Sequence, residues 1–347
     1  MTLSTDFAWH DLPLETQFGI SRGTTEQSGN IIVRIEDDAG RVGIGGAAPS
    51  EYYGETRDSV EGILPDLLDV VEDVGDPHPL QHIEQRMREI AGGSGQHAAA
   101  RSAVSVALHD LVCKQLDQPL YRYWGLDPEQ TLTTSYTIGL ADTDEMAERA
   151  AGTVDAGYSV LKVKLGTDRD REIITAIREV APEATIRVDA NEAWNPEEAI
   201  VMTEFLADHD IEFVEQPIPA DDPDGLEQVH AEGVLPIAAD ESCVTLRDVP
   251  QVADSTDIVV IKLAKCGGLR EARRMIHTAH AHDLDVMVGC MTESNASIAA
   301  AAHLTPLVEY ADLDGALLLA DDSFEGTPMP GGDIELVDRP GTGVSER

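Results

Sequence analysis

The sequence predicts an α/β fold: a (β/α)7β TIM-like barrel with an N-terminal α+β capping domain completed by the C-terminal tail. Three observations lead there. From residue 130 onward, short β-rich runs recur about every 25 residues with amphipathic helical stretches between them, the rhythm of a parallel barrel. The first quarter reads instead as strands followed by helices. Gly and Pro then collect in the segment beyond about residue 320.

In the first quarter, strand-like segments lie near 5–20, 30–37 and 41–46, with Asp38-Ala39-Gly40 as the second turn of an antiparallel meander. Helical patterns follow near 56–73, 79–92 and 97–116, the last Ala-rich and suited to close packing against a neighbour. The expected capping domain is therefore 1–128, the barrel 129–320 and the tail 321–347. Gly43, Gly45 and Ala48 match the GxGxxA form of a dinucleotide fingerprint. Pro49 stands where the binding helix should run and the context is a meander, so no such site is expected.

The barrel runs are TTSYTIG (133–139), SVLKVKLG (159–166), TIRVDAN (185–191), IEFVEQP (211–217), LPIAADES (235–242), DIVVIKLAK (257–265), DVMVGCMTES (285–294) and the segment around YADLDG (310–315). Asn195-Pro196-Glu197-Glu198 marks a helix start, a cap followed by proline at the first helical position. The tail ends in a strand-like DIELV and is expected to fold back on the capping domain.

Composition narrows the function. The chain has 347 residues, 65 Asp plus Glu and 24 Lys plus Arg, a formal net charge of −41. Such a field repels phosphate backbones and anionic headgroups, which argues against nucleic-acid and membrane-surface roles. No apolar run approaches a membrane span and the N-terminus lacks a signal-like core, so a cytoplasmic protein acting on a small molecule is expected; a homo-oligomer is left open. An acidic, lysine-poor surface suits a high-salt, halophilic cytoplasm. The four cysteines form no CxxC pair and are expected as free thiols, and His277, His280 and His282 are expected on a solvated helix face. There are five lysines, Lys114, Lys162, Lys164, Lys262 and Lys265. Four of them fall in two strand-like runs.

Active-site groups of such a barrel sit at the C-terminal strand ends, and residues two apart face the same way. That rule turns Lys162 and Lys164, Asp189 and Asn191, Glu215, Asp240, Lys262, Met291 and Glu293, and Asp312 and Asp314 toward one mouth. Asp189, Glu215 and Asp240 are 26 and 25 residues apart, one βα unit each. Three oxygen ligands without His or Cys favour Mg²⁺ over zinc; taken singly, each acid could also cap the helix that follows it. Lys164 and Lys262 would flank that metal from opposite sides, and nearby cations lower a lysine's pKa toward that of a base.

KVKLG, RVDANEAW, FVEQPI, AADES, VIKLAKCGG and DLDG, in this order, resemble the enolase superfamily, muconate-lactonizing subgroup, over almost the whole chain. The resemblance implies that Asp189, Glu215 and Asp240 bind Mg²⁺, that Lys164 and Lys262 are the acid/base pair, and that Lys162 assists the substrate carboxylate. The branch with an Asp–His dyad is disfavoured, since GCMTES has no histidine. The shared step is abstraction of the proton α to a carboxylate, and lysines on both faces allow epimerisation. DLDG resembles the Asp-x-Asp motif with which dipeptide epimerases hold a free α-ammonium. GISRGT (19–24) is similar to their mobile capping loop, with Arg22 the candidate for meeting an acidic side chain. The expected substrate is therefore a dipeptide, of Ala-Glu type. The alternatives are muconate cycloisomerase, o-succinylbenzoate synthase and N-acylamino acid racemase activity, or a catalytically silent barrel. Lys265 is read as supporting.

Overall fold

A computed structural model describes residues 2–347. Strands β1 (Leu3–Ile20), β2 (Gly23–Asp37) and β3 (Val42–Ala47) form the antiparallel meander. Side chains alternate across a sheet, and β2 buries both faces. Ile31, Val33 and Ile35 point to the capping helices, whereas Ile32 meets Phe324 and Val344 of the tail. Helices α1 (Arg57–Val74), α2 (Leu80–Ile90) and α3 (Ala98–Gln115) follow. A Thr56–Ser59 capping box starts α1, and Gly75, left-handed, ends it.

The residues of α3 are buried from Ala98 to Cys113, because the helix lies between the capping sheet and the barrel. Gly43 and Gly45 make that possible: a Cβ on either would stand 2.2 Å from the Ala107 or the Ala103 carbonyl oxygen, respectively. The glycines that imitate a dinucleotide fingerprint are the seat of an alanine-rich helix.

A short α4 (Leu120–Tyr123) leads to the barrel. Its strands are β4 (Tyr136–Ile138), β5 (Val160–Lys164), β6 (Thr185–Asp189), β7 (Ile211–Glu215), β8 (Ile237–Ala239), β9 (Ile258–Lys262), β10 (Asp285–Gly289) and β11 (Tyr310–Asp312). They pair in chain order, all parallel, and a Thr134–Ala311 bridge joins the two edges. The helices of the barrel are α5 (Thr143–Asp155), α6 (Asp170–Val180), α7 (Pro196–Ala207), α8 (Pro223–Glu232), α9 (Val249–Val252), α10 (Leu263–Cys266), α11 (Leu269–Ala281) and α12 (Asn295–Ala302). Asn195 is the N-cap of α7 as predicted, and with Glu198 it forms a capping box.

Leu161, Val163, Ile186 and Val188 pack outward on the helices. Inside, Phe213, Ala238, Ile258, Val260 and Met287 make an apolar floor. The Arg187 guanidinium lies 5.2 Å and 5.1 Å from the Phe213 and Tyr310 rings and closes that layer. The barrel is thus solid below its mouth.

The tail contributes β12 (Phe324–Glu325) and β13 (Ser345–Glu346), paired antiparallel. The strand expected at DIELV does not form: Asp333 makes one bridge to Thr133, and Ile334 and Leu336 pack on the barrel. A barrel closed at Thr134–Ala311 offers that segment no free edge. The tail reaches the capping domain through Arg34–Glu346 and through the Thr342 N–H, which donates to Asp110 Oδ1 at 2.8 Å. Among the described residues no helix is long and apolar enough to cross a membrane.

Because the Gly45 position has no room for a methyl, Gly45→Ala should lower stability by about 1–3 kcal/mol. The urea midpoint should drop with the m-value unchanged.

Candidate active site

Register brings the charged positions together. Lys164, Asp189 and Glu215 lie side by side on β5, β6 and β7, and Gly289 stands between Lys262 and Asp312. A Cβ at Gly289 would crowd Lys262 Cε to 3.2 Å, so glycine there keeps the lysine's path open. Asp240 follows β8 by one residue, and Lys162 sits one pleat below Lys164.

These groups form one buried ion network. The Lys162 ammonium is 2.7 Å from Glu215 Oε2, 2.8 Å from Asp312 Oδ2 and 3.2 Å from Asp189 Oδ2. Lys164 meets Asp189 Oδ2 at 2.6 Å, and Lys262 meets Asp240 Oδ2 at 2.8 Å. Lys265 grips the other Asp240 oxygen and donates to the carbonyls of Asp240, Val260 and Cys243 at 2.6, 3.0 and 3.1 Å. It is 1% exposed, so its role is to fix Asp240 from behind. It stands on the α10 turn rather than on the sixth strand, which ends at Lys262.

Burial opposes charge on every member, and the neighbours decide the outcome. Burial raises Asp189, but the Lys164 and Lys162 ammoniums outweigh it and hold the carboxylate well below the usual range. For Asp240 Lys262 and Lys265 do the same. Glu215 goes the other way, pushed up to about 8 by burial and then by Asp189. Burial lowers Lys162, yet Asp312, Glu215 and Asp189 together keep it firmly charged.

Above the network lies a cavity of about 580 Å³. Lys162, Lys164, Asp240, Lys262, Arg22, Met291, Asp312 and Asp314 line it; Asp189 and Glu215 lie beneath the lysines. Arg22 sits in the turn between β1 and β2, with Glu241 at 2.6 Å and Glu192 at 2.9 Å and its guanidinium 4.5 Å from the Tyr52 ring. Asp312 accepts from Ser135 Oγ at 2.5 Å as well as from Lys162. Asp314, on a turn just past β11, accepts the Thr137 N–H at 2.6 Å. Burial and the adjacent Asp312 push its carboxyl up to about 7.

Glu293 departs from expectation: it does not line the cavity, and its carboxylate accepts the Ala48 and Met291 amides at 3.1 and 3.3 Å. Strand β10 ends at Gly289, so alternation does not extend to residues 291 and 293. For the same reason Cys290 faces the cavity, as does Glu241 immediately after Asp240. Asn191 adopts φ 43° and donates its N–H to Asp189 Oδ1 at 2.8 Å, a backbone conformation that turns the chain over the mouth. Tyr53, from the capping domain, also lines the cavity and carried no sequence signal.

The donors suit a hard divalent cation chemically. Asp189, Glu215 and Asp240 are oxygen-only and buried, and both Glu215 oxygens lack a hydrogen-bond donor in good geometry. Among the described residues no three such groups already meet in ligand geometry; the Lys162 ammonium stands between the carboxylates.

A capped (β/α) barrel with opposed lysines and buried carboxylates at its mouth defines an enzyme for a small molecule. Residues 6–125 match the mandelate racemase/muconate lactonizing enzyme N-terminal domain, and residues 145–346 the enolase C-terminal domain-like family. The chain belongs to the enolase superfamily, and it is an isomerase. It is 39% identical to the L-Ala-D/L-Glu epimerase of Bacteroides thetaiotaomicron, over 96% of this chain and 86% of the relative. The dipeptide epimerase of Enterococcus faecalis V583, solved with Mg and L-Leu-L-Tyr, superposes with a TM-score of 0.94 at 31% identity, covering 100% of both chains. An N-succinyl Arg/Lys racemase from Bacillus cereus superposes at 0.93 with 29% identity, covering 100% of this chain and 96% of that one.

Lys265→Met would leave a buried carboxylate one cation short and remove an ammonium donor from the Asp240, Val260 and Cys243 carbonyls. Stability should fall by about 3–5 kcal/mol, read by chemical denaturation.

Proposed function

We propose that the protein epimerises a dipeptide at the carbon next to its carboxylate, through an enolate, with Mg²⁺ held by Asp189, Glu215 and Asp240. The observation that carries this reading is the placement of Lys164 and Lys262. They line one cavity from β5 and β9, four strands apart in an eight-stranded barrel, so they stand on opposite walls.

A substrate between them presents its α-hydrogen to one lysine and the opposite face of the same carbon to the other. The first lysine removes the proton as a neutral amine, and the second returns one as an ammonium. Lys262, held charged by Asp240, is suited to the delivering role until that carboxylate is otherwise engaged. The metal, when bound, supplies positive charge that stabilises the developing carboxylate dianion and lowers the pKa of neighbouring ammoniums. The apolar floor and the β1–β2 turn keep bulk water from quenching the carbanion.

Asp312 and Asp314 favour a dipeptide over an acylated amino acid. Asp312 is matched by Lys162. Among the described residues Asp314 has no ion-pair partner, and an α-ammonium would supply one. An N-acyl group carries no cation for that position.

In D₂O, Lys164→Ala and Lys262→Ala should each lower epimerisation on the order of 10³-fold. Each variant should still exchange the α-hydrogen of the one epimer that faces its remaining lysine. Exchange of both epimers by either variant would remove the two-wall assignment. The assay belongs in molar salt, in keeping with the −41 charge.

The pH dependence has a definite sign. Above about pH 7 Asp314 is charged; below it the carboxyl takes up a proton and its attraction for an ammonium is lost. KM for the dipeptide should therefore rise as pH falls below 7, by up to about tenfold per unit. Asp314→Asn should flatten that limb.

A further inference from the structure

A second cavity, of about 450 Å³, adjoins the first. Phe18, Thr137 and Leu318 line both, so the two spaces share a wall three side chains wide. The far side is helix α5 at Gly152 and Ala156, with the paired rings of Tyr136 and Tyr158 at 4.8 Å between centroids.

The chain is shaped to make this space. Pro13 has no N–H to continue the β1–β2 ladder, and the register breaks between Pro13 and Phe18. The bulged residues turn to the other side: Leu14 bridges Leu319, the Glu15 N–H donates to the Leu318 carbonyl at 3.0 Å, and the Ala320 N–H donates to Pro13 O at 2.9 Å. A roof over α5 results. The lining from Leu14, Phe18, Ile138, Leu317 and Leu318 is apolar, and the tyrosines add ring faces.

Its position relative to Asp314 gives the cavity a meaning. The Thr137 amide that borders both spaces is the one that holds Asp314. Asp314 also acts electrostatically on Tyr136 and Tyr158, the rings of the second cavity. A dipeptide whose ammonium rests on Asp314 has its N-terminal side chain one bond from that nitrogen-bearing carbon, at the shared wall.

We infer that the second cavity is the seat of the substrate's N-terminal side chain, and that it selects a large apolar or aromatic residue there in place of the alanine expected from the sequence. This rests on the dipeptide reading. Glu15, Thr16, Arg149 and Thr153 also line it; Arg149 is engaged by Glu145 and the Gln17 carbonyl, and Thr153 Oγ1 donates to the Arg149 carbonyl. The remaining surface offers an alanine methyl little to touch and a phenyl or isobutyl group a great deal. Each further CH₂ buried there adds roughly fourfold to kcat/KM at about 0.8 kcal/mol.

The test holds the C-terminal residue constant and varies the N-terminal one through Gly, Ala, Leu and Phe, following α-hydrogen exchange by NMR. Gly152→Trp fills the cavity from α5; Gly152 is exposed, and a Cβ there meets nothing within 4 Å. Wild type should favour Leu and Phe over Gly by at least tenfold. The variant should lose that preference while exchanging the Gly and Ala dipeptides within about twofold of wild type, which also reports that it folds. If Leu and Phe dipeptides are exchanged equally by both proteins, or are refused by a wild type that accepts Ala, the seat is elsewhere. If no dipeptide exchanges while N-acylamino acids do, the dipeptide reading fails and the seat falls with it.

Discussion

The four lysine ammoniums and the carboxylates of Asp189, Glu215, Asp240 and Asp312 interlock beneath the mouth of this barrel, each with a counter-charge within 3.2 Å. A lone ion there would cost several kcal/mol, so position, register and strand closure are bound to one another. Lys162 shows how tightly. Its ammonium reaches Asp189 on β6, Glu215 on β7 and Asp312 on β11, three strands that meet only if the barrel closes. The Thr134–Ala311 bridge completes the backbone ring, and Lys162 completes the electrostatic one.

The same network sets the chemistry. Asp189 and Asp240 are held charged, whereas Glu215, with the least support, is pushed up to about 8. The site therefore demands cations, and those on hand in the chain are lysines. Three of the four, Lys162, Lys164 and Lys262, also line the cavity, so most of the side chains that neutralise the buried carboxylates are ones a bound molecule would meet.

Much of this was legible in the sequence, for one physical reason: in a regular stretch of strand, side chains alternate, so Lys162, Lys164, Asp189 and Lys262 could be aimed from their spacing. The helix start at Asn195 was legible through capping chemistry. Legibility ended where strands ended. Glu293 and Cys290 lie beyond Gly289, where the chain turns and the alternation rule no longer holds; Glu241 lies just past β8 for the same reason. Lys265 takes its meaning from a helical turn that packs it behind Asp240. Phe18 and Tyr53 reach the cavity from a domain more than a hundred residues away, which no local pattern records. The DIELV segment has strand composition but no partner edge, so tertiary closure overrides it.

The tail carries a consequence for how the molecule is made. Ile32 and Ile44 of the meander are covered by Phe324 and Val344, and the barrel edges join only once Ala311 is in place. On the ribosome, the capping sheet emerges first and waits through some three hundred residues with one apolar face bare. Its cover comes only with Phe324 and Val344. A chain cut short near its end would therefore lose cover over its oldest segment, so degradation of unfinished copies can begin at the opposite end from the break.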